Sequence, residues 1–441
     1  MDALDELRVR LAEVADLEKV AGLLGWDQQA VMPPAGADAR ASQRATIRRL
    51  AHERFISDET GRLIERAARL TQGLDYDSDA ASLVRIASRD YEKERRVPAE
   101  LAAEMSAAAT KAHEAWVEAR RTSSFPLFLP FLEESLELRR RYLDCFEKAA
   151  RPYDILLDDY EPGATTAEVE AIFAELRDGL VPLIAEVRAR SEAVDGRALS
   201  DSYPIDRQRV FVEAVLDALG FDARRWRLDQ VVHPFAMSAS VNDVRITTRY
   251  LGDFLPAGIF GAMHEFGHGL YEAGIAPELE RSPLGRLASL GLHESQSRLW
   301  ENFVGRGRPF WQFFFGRLQD EFPKQLGGAS TEDFYRAVNR VEPSLIRVEA
   351  DEATYNLHII LRFELEQAIV AGGVELADLP DAWSAKMAEY LGVDVPDDAN
   401  GVLQDPHWCF GFGYFPTYAL GNLAAAQLWC KIQSCLPDLD E

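Results

Sequence analysis

The residues best suited to chemistry in this sequence are the two histidines and the glutamate of the pentapeptide HEFGH, from His264 to His268. In an α-helix with about 3.6 residues per turn, positions four apart share one face, so both imidazoles can reach one metal ion. Glu265 is rotated by roughly 100° from His264, where it can reach a water molecule on that metal but is badly placed to be a ligand. The spacing therefore predicts a zinc peptidase, with a helix that carries two histidines by chance as the alternative.

A catalytic zinc ion takes three protein ligands and leaves the fourth position to water. The third ligand must come from downstream of HEFGH, where Glu272, Glu294 and Glu301 are the candidates. We favour Glu294 because it lies on a separate helical segment, and a ligand from a second helix can close a tetrahedron that one helix cannot. Two imidazoles and a carboxylate suit one zinc ion per chain, although cobalt or manganese can bind the same ligands.

Peptide hydrolysis needs a base and a donor for the developing oxyanion besides the metal. Glu265 is the predicted base, because it can take a proton from the attacking water and pass it to the leaving amine. The oxyanion donor is expected among His407, Tyr414 and Tyr418, which lie in a stretch rich in glycine and aromatic residues. A purely structural role is the alternative for each of these three side chains.

The elements that must position these residues are mostly amphipathic helices. We predict helices near residues 2–24, 36–52, 58–73, 78–95, 98–121, 127–149, 166–195, 205–219, 259–271, 284–320, 331–339, 354–371 and 379–391. Short β-branched runs at 226–232 and 243–250 predict a small sheet before HEFGH, which either holds a peptide by main-chain hydrogen bonds or is only a structural hairpin. Residues 401–421 are predicted to form a packed loop. We expect one domain, with 1–200 as helical scaffold and 201–441 as the catalytic part.

The charge balance excludes some classes of partner. The 48 Lys and Arg against 73 Asp and Glu give a net charge of -25, which argues against nucleic acid or an anionic membrane as the main partner. The four cysteines include no CxxC pair and are too few for a disulfide framework. No apolar signal region and no run of about 18 apolar residues is found. We therefore expect a cytoplasmic protein.

Beyond HEFGH, the chain carries further motifs in a defined order. They are WDQ at 26–28 with Met32-Pro33, a conspicuous stretch from Tyr153 to Gly163, HPF at 233–235, DxRxT at 243–247, HES-Q at 293–296, IRxxAD at 346–351 and GxxQDxHW at 401–408. Together these motifs resemble the carboxypeptidase Taq family of metallocarboxypeptidases over nearly the whole chain. The resemblance implies an all-helical, two-lobed fold with a deep central groove, usually as a homodimer.

The resemblance also implies an activity, the release of single residues from the free C-terminus of peptides with broad specificity. Arg347, from IRxxAD, then looks like the anchor of the terminal carboxylate, because a guanidinium fork matches a carboxylate. A salt bridge from Arg347 to Asp351 is the alternative. The full site prediction is His264, His268 and Glu294 as metal ligands, Glu265, His407 and Tyr418 as catalytic residues, and His233, Arg245, Arg347 and Tyr414 as substrate contacts.

Two other functions remain open from the sequence. One is an endo-oligopeptidase on the same helical zinc scaffold, and the other is a non-catalytic peptide-binding protein that keeps a metal site. The second is disfavoured, since Glu265 is present and zinc binding does not require a general base. Family members normally continue with further helices beyond the segment that matches Asn422 to Leu436, whereas this sequence stops at Glu441. We expect an intact metal site with wider access to the groove.

Overall fold

The computed structural model describes residues 2–190, 193–437 and 439. The α-helices in this part of the chain are α1 (Ala3–Ala30), α2 (Ala37–Ile56), α3 (Asp58–Thr71), α4 (Asp79–Arg96), α5 (Ala99–Thr122), α6 (Phe125–Leu143), α7 (Pro152–Asp158), α8 (Thr166–Arg188), α9 (Ile205–Ala218), α10 (Pro256–Ala273), α11 (Leu290–Arg298), α12 (Arg308–Glu321), α13 (Pro323–Leu326), α14 (Thr331–Val338), α15 (Tyr355–Ala371), α16 (Leu379–Leu391) and α17 (Pro416–Cys435). None of the described helices combines the length and apolarity that a membrane crossing requires.

A three-stranded sheet precedes the HEFGH helix, as the β-branched runs predict. Its strands are β1 (Trp226–Gln230), β2 (Ala236–Ser240) and β3 (Asp243–Thr248), in the order β1-β3-β2. β3 is central, parallel to β1 and antiparallel to β2. The mostly helical fold with a small sheet is therefore confirmed. The strand β2 was not predicted, because its sequence AMSAS lacks the β-branched and aromatic residues that mark a strand.

Three clusters of buried apolar side chains form the core. One joins α1 to α4, a second joins the sheet with α9, α10, α12 and α14, and the largest joins α5 to α8 with α15 to α17. The helix with HEFGH belongs to the second cluster through side chains such as Met263 and Phe266, whereas Tyr355 and Ala419 belong to the largest cluster. The predicted metal site thus lies where these two cores meet, with α11 between them.

The prediction of one helix over 284–320 was wrong. The Ser289 side chain accepts a hydrogen bond from the main-chain N–H of Leu292, so α11 begins at Leu290. After Arg298 the chain continues as a π-helical segment, Leu299–Val304, and α12 starts only at Arg308. Gly305, Arg306 and Gly307 separate the two helical segments, and Pro309 suits the first turn of the new one.

The loop prediction for 401–421 was wrong at its C-terminal end. α17 begins at Pro416, again with proline in the first turn, and runs to Cys435. Tyr418 therefore projects from the first turn of a long helix and not from a loop, whereas Tyr414 and His407 precede that helix. α17 packs against α11, with Gly421 beside Glu294 and Gly291, and a local reading of glycine and aromatic content could not indicate this packing.

Candidate active site

The HEFGH motif lies in the middle of α10, on a helix that is buried along most of its length. Gly267 is required there because a Cβ at this position would lie 2.7 Å from Cα of Ser297 and would also meet the carbonyl oxygen of Gln296. Phe266 packs its buried ring against Trp226 of β1 in a tilted arrangement and against Trp300 edge to face. The glycine of the motif thus lets α10 approach α11 closely, and the phenylalanine packs α10 against the sheet and the segment after α11.

Three predicted ligands converge between these two helices. Nε2 of His264 and Nε2 of His268 lie 3.6 and 3.4 Å from Oε2 of Glu294. The ligand atoms of the three residues all lie within 4.8 Å of one another. Zinc bonds of about 2.0–2.2 Å to nitrogen and oxygen give such ligand separations in a tetrahedral site. The set therefore fits a single metal ion with an open position.

The Nδ1 atoms of His264 and His268, which face away from the three ligand atoms, have hydrogen-bond partners of their own. These partners set the tautomers of the two rings. Nδ1 of His268 lies 3.1 Å from the carbonyl oxygen of His293, and a carbonyl only accepts, so this nitrogen carries the proton. Nδ1 of His264 lies 2.8 Å from Oε2 of Glu301. Both arrangements leave the Nε2 lone pairs free for a metal.

The two alternative ligands lie elsewhere. Glu301 faces the far side of the His264 ring, and Glu272 accepts a hydrogen bond from Ser238 and lies 3.4 Å from Nε2 of His293. His293 in turn stacks on His268 at 4.3 Å between ring centroids. Glu272 and Glu301 therefore surround the ligands without joining them.

Glu265 is buried beside the ligands, and its Oε2 has no hydrogen-bond partner in the described part of the chain. Burial raises the pKa of this carboxyl to about 7. A buried carboxylate without a partner is costly, so its position calls for a further group to bind it. Next to three metal ligands, that group fits a water molecule held for reaction.

His407, Tyr414 and Tyr418 form a second group close to the metal ligands. Nε2 of His407 lies 3.2 Å from the Tyr418 hydroxyl, and the rings of Tyr414 and Tyr418 are 5.4 Å apart. Burial and, more weakly, the Glu294 carboxylate raise the pKa of both tyrosines, so both stay protonated donors. Burial lowers the pKa of His407 to about 3, which keeps this ring neutral.

Arg347 is buried and does not form the salt bridge to Asp351 that was the alternative. Its Nε and Nη2 instead donate to Asp405, at 3.1 and 2.8 Å, and its Nη1 donates to the Tyr355 hydroxyl at 2.7 Å. The guanidinium also lies 5.0 Å from the ring centroid of Tyr418. The second N–H groups of Nη1 and Nη2 have no partner within the described ranges, which leaves one edge of the fork free.

The remaining predicted substrate contacts, His233 and Arg245, have different neighbours. Burial and then the charges of Arg249 and Arg347 lower the pKa of His233, so its ring lies within the electrostatic reach of both guanidinium groups. Arg245 pairs with Asp243 and covers the ring of Trp26 at 4.1 Å, so it contacts α1. No contact between Arg245 and the metal ligands occurs among the residues that the structure describes.

Residues 6–441 match the family described as carboxypeptidase Taq (M32) metallopeptidase. The chain belongs to this family. It is 44% identical over 438 residues to thermostable carboxypeptidase 1 of Thermus thermophilus, covering 97% of this chain and 86% of that relative. Carboxypeptidase 1 of Bacillus subtilis is 39% identical over 432 residues, with 98% and 86% covered.

Solved structures agree with the sequence relatives. The M32 carboxypeptidase of Deinococcus radiodurans matches with a TM-score of 0.94 at 39% identity, over 99% of this chain and 88% of that one. The Pyrococcus furiosus carboxypeptidase matches with a TM-score of 0.95 at 34% identity, over 100% and 88% of the two chains. The protein is therefore an M32 metallocarboxypeptidase, which releases C-terminal residues from peptides, and the resemblance seen in its motifs is confirmed.

Sequence reasoning missed three residues that hold this site. Arg298 donates to both Glu294 and Glu301, Tyr355 accepts from Arg347, and Asp405 binds that arginine with both oxygens. A signal for one of them was available, since Glu294, Arg298 and Glu301 follow at i, i+4 and i+7 on one helical face. Tyr355 and Asp405 contact Arg347 only through tertiary packing, which local spacing in the sequence does not show.

Proposed function

We propose that this M32 carboxypeptidase uses one zinc ion, held by His264, His268 and Glu294, to remove single residues with broad specificity. The observation that carries the proposal is the convergence of three ligand atoms beside Glu265, whose Oε2 has no partner in the described chain. Bound zinc would act as a Lewis acid on the scissile carbonyl and on water. Zinc is the choice because two imidazoles and a carboxylate, with one open position, are typical of catalytic zinc sites.

Each nearby side chain then has a role in the reaction. Glu265 takes the proton of the attacking water and delivers it to the leaving amine. The Tyr418 hydroxyl, oriented by His407, donates a hydrogen bond to the oxygen that gains negative charge. Tyr414, whose ring centroid lies 5.4 Å from that of Tyr418, is a further proposed substrate contact.

Arg347 is the proposed anchor of the terminal carboxylate of the substrate. Asp405 and Tyr355 hold the guanidinium on one side, and its free Nη1 and Nη2 edge can donate to a carboxylate. His233, whose pKa is lowered by burial and in part by the charge of Arg347, is a further proposed substrate contact. Arg245 is a weaker proposal as a substrate contact, since its partners are Asp243 and Trp26.

The domain organisation, the oligomeric state and the cellular location belong to the same proposal. The chain acts as one peptidase domain over 1–441, with 1–200 as scaffold and 201–441 as the catalytic part. It forms a homodimer and works in the cytoplasm, where its four unpaired cysteines stay reduced. Size-exclusion chromatography with light scattering tests the dimer, because a monomer mass at micromolar concentration would contradict it.

A comparison of free and amidated substrates tests the carboxylate anchor. We expect the wild-type protein to cleave an N-terminally blocked dipeptide with a free C-terminus and to cleave its amide poorly. Arg347→Lys keeps the charge but loses the fork, so KM for the free substrate should rise by about tenfold or more while activity on the amide changes little. Equal cleavage of both substrates by the wild-type protein would instead favour an endopeptidase.

A further inference from the structure

Arg298 lies directly behind the proposed metal site, on the side that faces away from the histidine Nε2 atoms. Its Nε donates to Oε1 of Glu294 at 2.8 Å. The other oxygen of this carboxylate, Oε2, is the one that faces His264 and His268. The arginine thus occupies the lone pairs that the metal does not need, and it fixes which oxygen points at the histidines.

The same guanidinium reaches a second ligand through Glu301. Its Nη1 donates to Oε2 of Glu301 at 3.0 Å, and that oxygen also lies 2.8 Å from Nδ1 of His264. One arginine therefore orients Glu294 directly and His264 through one carboxylate. The π-helical segment Leu299–Val304 begins right after Arg298 and carries Glu301, at a place where such segments often serve function.

The remaining surroundings of Arg298 hold it in place. Its guanidinium carbon lies 4.5 Å from the ring centroid of Tyr355, which covers the cation with an aromatic face. Only 13% of the side chain is exposed. A planar guanidinium can donate in two directions at once from this buried position, which an ammonium group on a flexible stem cannot reproduce.

We propose that Arg298 is a positioning residue of the metal site, which sets metal affinity by orienting Glu294 and, through Glu301, His264. It touches neither the metal nor the substrate. Without it, Glu294 would keep the Ser297 hydroxyl and Glu301 the His264 ring as hydrogen-bond partners, and either buried carboxylate could turn away from its present position. The inference rests on the proposed ligand set of His264, His268 and Glu294.

Zinc competition with a chromophoric chelator tests this inference on the metal-free protein. We expect Arg298→Gln and Glu301→Gln to weaken zinc binding about 10- to 100-fold, with Arg298→Lys falling between Arg298→Gln and the wild-type protein. The control is Arg10→Gln, because Arg10 is also buried and donates to Ser57, Glu59 and Thr60 far from the site. This control should lower thermal stability while zinc affinity stays within about twofold of wild type.

Separate results overturn the inference and the ligand set. Circular dichroism identifies the variants that fold. If Arg298→Gln does not fold, Arg298→Lys or Glu301→Gln is used for the zinc measurement instead. Wild-type zinc affinity in a folded Arg298 or Glu301 variant would overturn the positioning role. A similar loss in Arg10→Gln would overturn it too, since the effect would then reflect general destabilisation. Unchanged zinc binding in Glu294→Gln would instead refute the ligand set itself.

Discussion

The surroundings of Glu265 are better explained by a role in the reaction than by a contribution to the stability of the fold. It is buried, its Oε2 has no partner in the described chain, and the three metal ligands stand beside it. We expect Glu265→Gln to lower kcat by about 10²- to 10⁴-fold, because the amide cannot take a proton, while the zinc content stays unchanged. Steady-state kinetics on a blocked dipeptide and metal analysis measure both. Turnover close to wild type would refute the role of general base.

Tyr355 connects the proposed substrate anchor with the residues behind the metal. Its hydroxyl accepts from Arg347 and its ring lies under Arg298. Tyr355→Phe removes only the hydroxyl, so we expect KM to rise by about tenfold with a smaller change in kcat, because Arg347 loses a partner that fixes its fork. Tyr142→Phe is the matched control, since that hydroxyl binds Asp159 away from the site. Equal KM values in all three proteins would contradict the anchor.

At the residue scale, the sequence predicts what local spacing encodes. Four-residue spacing places His264 and His268 on one face, and the need for a ligand from another helix favours Glu294 over Glu272. Spacing cannot show that Arg347 binds Asp405 rather than Asp351, because that pairing joins residues 58 positions apart in the chain. Long-range partners of buried charges require the fold.

At the scale of elements, the site depends on α11 lying tightly between two helices. Gly267 of α10 meets the α11 backbone, and a Cβ at Gly421 of α17 would lie 2.7 Å from Cγ of Glu294. We expect Gly267→Ala and Gly421→Ala each to lower the free energy of unfolding by about 1–3 kcal/mol and to weaken zinc binding, because α11 must shift. Urea unfolding and chelator competition measure these effects.

The control for these variants is Gly179→Ala in α8. A Cβ there meets nothing within 4 Å, so alanine should be neutral or stabilise by up to about 1 kcal/mol through its helix propensity. Stability and zinc binding equal to wild type in both Gly267→Ala and Gly421→Ala would show that α11 tolerates displacement. The close packing would then have no role in the site.

The boundaries of the helices show the limits of prediction from the sequence. Amphipathic periodicity is strong in α3 and α4, and the predicted ranges for α1 to α6 match the observed helices within several residues at each end. α17 is not among the predicted helices, because glycine and aromatic residues near Tyr418 are typical of loops, whereas burial against α11 stabilises a helix there. The π-helical segment was also missed, since no local pattern distinguishes it from an α-helix.

At the scale of the whole molecule, the proposed metal site lies between two of the three cores. His264 and His268 come from a helix of the second cluster, and α11 with Glu294 packs against α17, which belongs to the largest cluster. Zinc at about 100 times its Kd should therefore add about 2.7 kcal/mol to the stability of the metal-free protein. Calorimetry with zinc and with a chelator measures the increment. Identical melting temperatures would contradict a metal site built only in the folded state.

The most direct test of the account follows the products of a long peptide over time by mass spectrometry. The zinc-loaded protein should produce a ladder of fragments shortened one residue at a time from the free C-terminus. The amidated peptide should stay intact, and Glu265→Gln should leave both peptides uncut under the same conditions. Fragments from internal cleavage, or trimming of the amidated peptide at the same rate, would contradict a carboxypeptidase that recognises the terminal carboxylate through Arg347.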